Sequence, residues 1–214
     1  MNKVVMSKQI SICLLTLGLL GCSTVVTMNY FQLPQPAIST VSPAIHAPVL
    51  VVEPVMVASY LNTNALILQT SEVQLVKTQQ QQWAEALDQQ LSRILVRTLA
   101  AELPDYRVTE RAVPGAQRLL VQVEQFHGTE QGTVMLSGRF SLMPAQGIRS
   151  DVSAEAGTSA APGIIQQQFQ LQMPQAEDGY PALVTALGEL WLRQGKDIAQ
   201  LLKPDTAKIK SESE

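Results

Sequence analysis

The chain has 214 residues, 46% of them hydrophobic, and 15 basic against 18 acidic side chains give a formal net charge of −3. That length fits one domain, or one domain with an elaborated edge. The acidic balance argues against nucleic acid as a partner, which calls for a basic face.

Lys3 and Lys8 are the only charged side chains before Cys22, and an apolar run from Ile10 to Leu20 follows them, broken by Ser11, Thr16 and Gly18. A basic start, a short apolar middle and a small residue at the cut mark a secretory signal. The run is shorter than the ~20 residues a membrane span needs. Leu19-Leu20-Gly21-Cys22 resembles the lipobox of bacterial lipoproteins. The resemblance implies cleavage between Gly21 and Cys22, a signal peptide over 1–21, and a Cys22 that carries three acyl chains. One acyl chain binds a membrane only marginally, at ~0.8 kcal/mol per buried CH₂, whereas two or more membrane signals hold stably. Ser23 after the cysteine resembles the pattern sent to the outer membrane in enteric-type bacteria.

Residues 22–28 then form a lipidated tether. Its segment Ser23–Thr27 extends at most about 15–20 Å, at ~3.3–3.6 Å per residue. Loss of Lys3 and Lys8 leaves the mature chain with 13 basic and 18 acidic side chains, net −5. Electrostatic docking on anionic lipid is therefore disfavoured, and the covalent anchor does that work. Cys13 leaves with the signal and Cys22 is acylated, so no thiol remains for a disulfide, a zinc site or a nucleophile.

The folded domain is expected over 29–203, ahead of a disordered tail at 204–214. A short strand, Met28–Leu33, precedes a Pro-, Ala-, Ser- and Thr-rich loop, Pro34–Pro48. Val49–Val57 is β-branched and reads as a strand buried on both faces, with Pro54 marking a bulge or an edge. Ala65–Gln69 and Val73–Lys77 suit a hairpin. The spacing of Trp83, Leu87, Leu91, Ile94, Leu95, Thr98 and Leu99 predicts a helix over Gln79–Glu102, ended by Leu103-Pro104-Asp105.

Arg118–Phe126 alternates as a strand, Gly128–Gly132 turns, and Thr133–Met143 returns, with Gly138 marking a bulge. Pro144–Gly163 reads as a long polar loop and Ile164–Met173 as a further strand. Pro181 opens a second helix with the stripe Tyr180, Leu183, Val184, Leu187, Leu190, Trp191, Ile198, Leu201 and Leu202. Gly188 and Gly195 inside it cost about 1 kcal/mol each against alanine, which close packing would explain. Strands interspersed with two amphipathic helices predict α/β or α+β, with the helices packed on a mixed sheet.

Chemical motifs are scarce. His46 lies in the proline-rich loop and His127 beside the turn at Gly128, and neither belongs to a local metal pattern such as H-E-x-x-H. The sequence contains neither a G-x-S-x-G elbow nor a phosphate loop. Glu177-Asp178 reads as a helix cap. These observations predict a protein that is not an enzyme and takes neither metal nor cofactor; a hydrolase would need His127 to meet an acid and a serine in the fold. Trp83 and Trp191 lie on apolar stripes, where the simplest reading is core. Trp is also over-represented at interfaces, so both are candidate subunit contacts.

The ordered series Asn29-Tyr30-Phe31-Gln32-Leu33, Tyr60-Leu61, Leu66 through Val73, Trp83 through Leu91, Val123 through Gly128, Leu136 through Phe140 and Gln175 through Tyr180 resembles the PqiC (YmbA) lipoprotein family over nearly the whole mature chain. The sequence departs from the family at Pro36–Pro48 and at Gln146–Gly163. The resemblance implies a three-layer α/β/α fold with a mixed sheet. It also implies a non-enzymatic auxiliary lipoprotein on the periplasmic face of the outer membrane. Its implied partners are a periplasm-spanning PqiB-like protein built from mammalian-cell-entry (MCE) domains and PqiA in the inner membrane. A homo-oligomeric ring of such subunits would receive the end of the PqiB tube, through which lipid is thought to move. A stand-alone lipid carrier is the alternative, and it needs an apolar cavity inside the domain.

Overall fold

β7 (Gln117–Thr129) is the axis of a nine-stranded mixed sheet in the computed structural model, which describes residues 26–37, 43–145 and 163–203. The expected signal peptide, the acylation site, most of the long polar loop and the tail lie outside the described residues. The other elements are β1 (Asn29–Phe31), β2 (Val49–Val52), β3 (Met56–Val57), β4 (Ala65–Ser71), β5 (Gln74–Trp83), α1 (Leu87–Glu102), β6 (Arg107–Thr109), β8 (Thr133–Met143), β9 (Ile165–Pro174) and α2 (Tyr180–Leu202).

One edge of β7 pairs antiparallel with β8 along almost its full length, and β8 passes the ladder on to β9. Three parallel strands share the other edge in turn: β2 at Leu50–Val52, β3 at Met56 and Val57, and β4 at Leu68 and Gln69. β6 continues the sheet beyond β2, and β5 and then β1 continue it beyond β4.

Proline explains the interruption between β2 and β3. Pro54 has no N–H for the ladder, so the expected single strand Val49–Val57 is two. Glu53 N still donates to Leu119 O at 2.9 Å and Ala58 N to Val123 O at 2.9 Å. Between them the Val55 N–H turns away from the sheet and donates to Ser92 Oγ of α1 at 2.9 Å.

The expected bulge falls on the partner strand. Val123 pairs Gly138 and Gln125 pairs Ser137, which leaves Glu124 as the extra residue. A Cβ on Gly138 would overlap the Gln122 carbonyl and come within 2.8 Å of Phe169 Cζ. Glycine thus lets the bulged strand and the β9 ring close over the same spot.

Alternation decides which face is covered. Leu119, Val121, Val123 and Phe126 of β7 and Val134, Leu136, Phe140 and Leu142 of β8 are all buried, and they join both helices in one apolar core. The helices pack on each other as well as on this face. A Cβ on Gly188 would meet Pro34 Cδ at 2.7 Å, and one on Gly195 would meet Thr98 Cγ2 at 3.0 Å. Close packing therefore explains both helix glycines. The α/β class, the mixed sheet, the two helices and the single body agree with the sequence reading. Among the described residues both helices share this core with the sheet.

Other elements differ from the sequence reading as well. The first helix begins at Leu87, and Gln79–Trp83 belongs to β5. That segment is claimed by β1, through Asn29–Phe31 opposite Gln81–Trp83, and by the bond from Trp83 N to Asn64 O at 2.6 Å. β6 is three residues long and carries no readable period. β7 runs on to Thr129, so Gly128 is a strand residue and the turn is 130–132.

Candidate functional site

Gly21 and Cys22, the expected cleavage and acylation site, lie outside the described residues. Both candidate interface indoles lie in the core. Trp83 is 5% exposed and tilts against Phe126, with ring centroids 6.3 Å apart. Trp191 is 1% exposed, and its Nε1–H donates to Leu91 O at 3.0 Å. Trp83 closes the end of β5 over Phe126, and the Trp191 stripe faces α1, so neither ring offers a surface for a partner to meet. Their placement matches the simpler core reading.

His127 is a strand residue and not a turn residue, only 2% exposed. Its ring faces Tyr60 at 6.5 Å between centroids, and Nδ1 lies 3.3 Å from Gly128 O. Burial pushes the imidazole pKa below its ordinary value, against a smaller upward pull from that carbonyl. Burial also pushes the Tyr60 phenol up to about 12, and its hydroxyl donates to Glu124 O at 2.9 Å. The pair is a neutral plug under the open sheet face. His46 is exposed. Among the described residues there is no group of three or more His, Cys, Asp or Glu that could hold a metal ion. No described helix is long and apolar enough to cross a membrane.

Two polar side chains that the sequence reading passed over hold the connections down. Gln90, fully buried on α1, accepts from Leu33 N at 2.9 Å and donates to Glu85 O at 2.8 Å. Ser92 accepts from Val55 N and donates to Asp88 O at 2.7 Å. A polar residue inside an apolar stripe was the available signal, and a buried polar group needs such a partner.

The face turned away from the helices is open and polar. A depression of about 440 Å³ there is lined mainly by Met56, Leu120, Gln122, Arg139, Ser141 and Gln166–Gln168. Arg139 Nε donates to Gln122 Oε1 at 2.5 Å. Ser141 has neither a histidine nor a carboxylate among these lining residues, so the depression is furnished for hydrogen bonding and not for nucleophilic attack. The sequence signal was the period-2 run Gln166, Gln168, Gln170, Gln172, which sets one polar face against Phe169, Leu171 and Met173.

A filled core under two helices, with an open hydrogen-bonding face behind, makes a body suited to binding and placement. The chain belongs to the family described as ABC-type transport auxiliary lipoprotein component, which matches residues 31–199. It is 34% identical over 199 residues to the intermembrane transport lipoprotein PqiC of Escherichia coli K12, across 92% of this chain and 98% of that one. The PqiC of Shigella flexneri matches to the same extent.

Among solved structures, one titled as an uncharacterized protein is 32% identical, with a TM-score of 0.68 over 83% of this chain and 99% of that chain. A Xanthomonas campestris protein, 12% identical with a TM-score of 0.58 over 79% of this chain and 92% of that one, shares the fold alone. The PqiC resemblance read from the sequence therefore holds. The family is one of transport auxiliaries, not of enzymes, and its members are membrane-associated lipoproteins.

Proposed function

We propose that this chain is cleaved after Gly21, acylated at Cys22 and held at the periplasmic face of the outer membrane. There it acts without covalent chemistry as the subunit that receives a PqiB-like MCE protein, with a PqiA-like protein in the inner membrane. Several copies form the receiving ring, and lipid passes between the membranes through the partner's channel. The contribution of this chain is steric: it places the end of the channel against the lipid surface.

The observation that carries this reading over the lipid-carrier alternative is the filled core. A carrier needs an apolar cavity between helices and sheet. Here that space is occupied by one continuous set of buried side chains, and the helices approach closely enough that a Cβ on Gly195 would lie 3.0 Å from Thr98 Cγ2. The edge strand supports docking further. β9 runs ten residues, Ile165–Pro174, without a charged side chain, and among the described residues its outer edge is unpaired. Solitary edge strands are usually blunted by charge, bulge or cover, so an undefended edge is a place for another chain to add a strand.

Native mass spectrometry of the mature protein, alone and with its PqiB-like partner, tests the reading. A multi-copy assembly that binds the partner, with subunits free of lipid beyond the anchor, is expected. Monomers carrying a noncovalent lipid would contradict it and favour the carrier.

A further inference from the structure

The β4–β5 hairpin ends in an apolar tip. Val73 is 96% exposed, Leu75 43% and Val76 39%. Turns ordinarily take Gly, Asn, Asp, Ser or Pro, and neighbouring exposed apolar side chains mark a contact surface. Glu72 and Lys77 flank the stretch, which is itself uncharged from Val73 to Val76.

The path of the N-terminal segment gives the tip a direction. β1 runs parallel to β5, with Asn29 opposite Gln81 and Phe31 opposite Trp83. A parallel neighbour is entered from the end at which its partner starts, and β5 starts at the hairpin tip. The chain ahead of β1 therefore arrives from the side of the sheet that carries Val73. Val26 and Met28 of that segment are apolar and 59% and 36% exposed, and Tyr30 of β1, next in the alternation, is 64% exposed.

Lengths place the tip near the anchor. Tyr30 lies level with Gln82, and Gln82 with Ala65 of β4. From Ala65, six residues lead to the tip at Ser71, a span of about 20 Å at ~3.3–3.4 Å per residue. Eight residues lead from Tyr30 back to Cys22, at most about 26–29 Å at ~3.3–3.6 Å per residue. Even a fully stretched tether carries the sulfur only about 6–9 Å beyond the tip, and any slack brings the tip to the lipid. Full stretch is also the state that chain entropy opposes.

We propose that the tip Val73–Val76 is a second membrane contact, lying in the headgroup region of the bilayer that holds the Cys22 acyl chains. It gives the anchored body a fixed orientation, with β4 and β5 directed at the membrane. The occupant is a lipid surface because the tip lies on the anchor's side and within the anchor's reach. The contact is apolar, as suits a mature chain of net charge −5 and burial of apolar side chains at the acyl boundary. The proposal rests on acylation of Cys22.

The test uses the full mature acylated chain in phosphatidylethanolamine/phosphatidylglycerol vesicles, with one spin label at Val73→Cys or, for comparison, at Asn64→Cys. Asn64 is exposed at the opposite end of β4, and with Cys22 acylated the introduced thiol is the only one. The chain should float with the vesicles. The label at 73 should collide with dissolved oxygen several-fold more, and with a water-soluble nickel chelate several-fold less, than the label at 64. A floating chain with equal nickel accessibility at both positions overturns the proposal alone. A label at 73 shielded from both reagents overturns it in favour of contact with a second copy. A chain that does not float removes the Cys22 anchor, and the proposal with it.

Discussion

The indole Nε1 of Trp191 donates a 3.0 Å hydrogen bond to the backbone carbonyl of Leu91, one hundred residues earlier in the chain. It ties the two helices together at the centre of the core. Trp191→Phe removes the donor, worth about 1 kcal/mol, and leaves part of a ring's volume empty, so urea unfolding should show a loss of about 2–3 kcal/mol. Because the ring faces α1 and not a partner, the copy number in a native mass spectrum should not change.

The two helix glycines should respond differently to alanine. At Gly188 the new methyl meets the rigid Pro34 ring at 2.7 Å, and Gly188→Ala should cost about 1–3 kcal/mol by overpacking. At Gly195 the nearest atom is Thr98 Cγ2 at 3.0 Å. The helix-propensity gain of ~1 kcal/mol offsets that crowding, so Gly195→Ala should lie near zero in the same denaturant titration.

Ser92→Ala strands the Val55 N–H that Pro54 turned away from the sheet. A buried donor left without a partner costs about 1–3 kcal/mol. Thermal melts should report that loss, and Ser92→Thr should recover part of it by restoring the hydroxyl.

His127 makes the fold sensitive to acid. Its pKa is lowered by burial from an ordinary value of 6.5, so the unfolded chain binds the proton more readily than the native one. The stability that its neutral form contributes is fully present above about 6.5 and is lost as pH falls below that towards and through the folded value. Unfolding free energy measured at pH 7.5 and at pH 5 should fall between the two, and His127→Gln should reduce the fall.

Much of this architecture was legible because it obeys simple periods. The bounds of β8, the start of α2 at Tyr180-Pro181 and the packing role of Gly188 and Gly195 all follow from alternation, proline chemistry and the absence of a side chain. Gln79–Trp83 misled because Trp83 happens to lie at helical spacing from Leu87 and Leu91. Pairing with β1, 52 residues upstream in register, outweighed that local signal. His127 was misplaced for a related reason: Gly128 looks like a turn, but as a strand residue it admits Leu183 and Leu68 against the backbone. Tertiary contacts decide such positions, and a single sequence does not carry them. The proposed acylation at Cys22 rests on four residues, Leu19-Leu20-Gly21-Cys22, that a processing enzyme and not a fold would read.

The most direct test of the docking account is Cys22→Ala expressed in place of the native chain. The account predicts a product released into the periplasm, together with an envelope as permeable as one lacking the protein altogether. Full envelope integrity from a freely diffusing, unacylated product would contradict it.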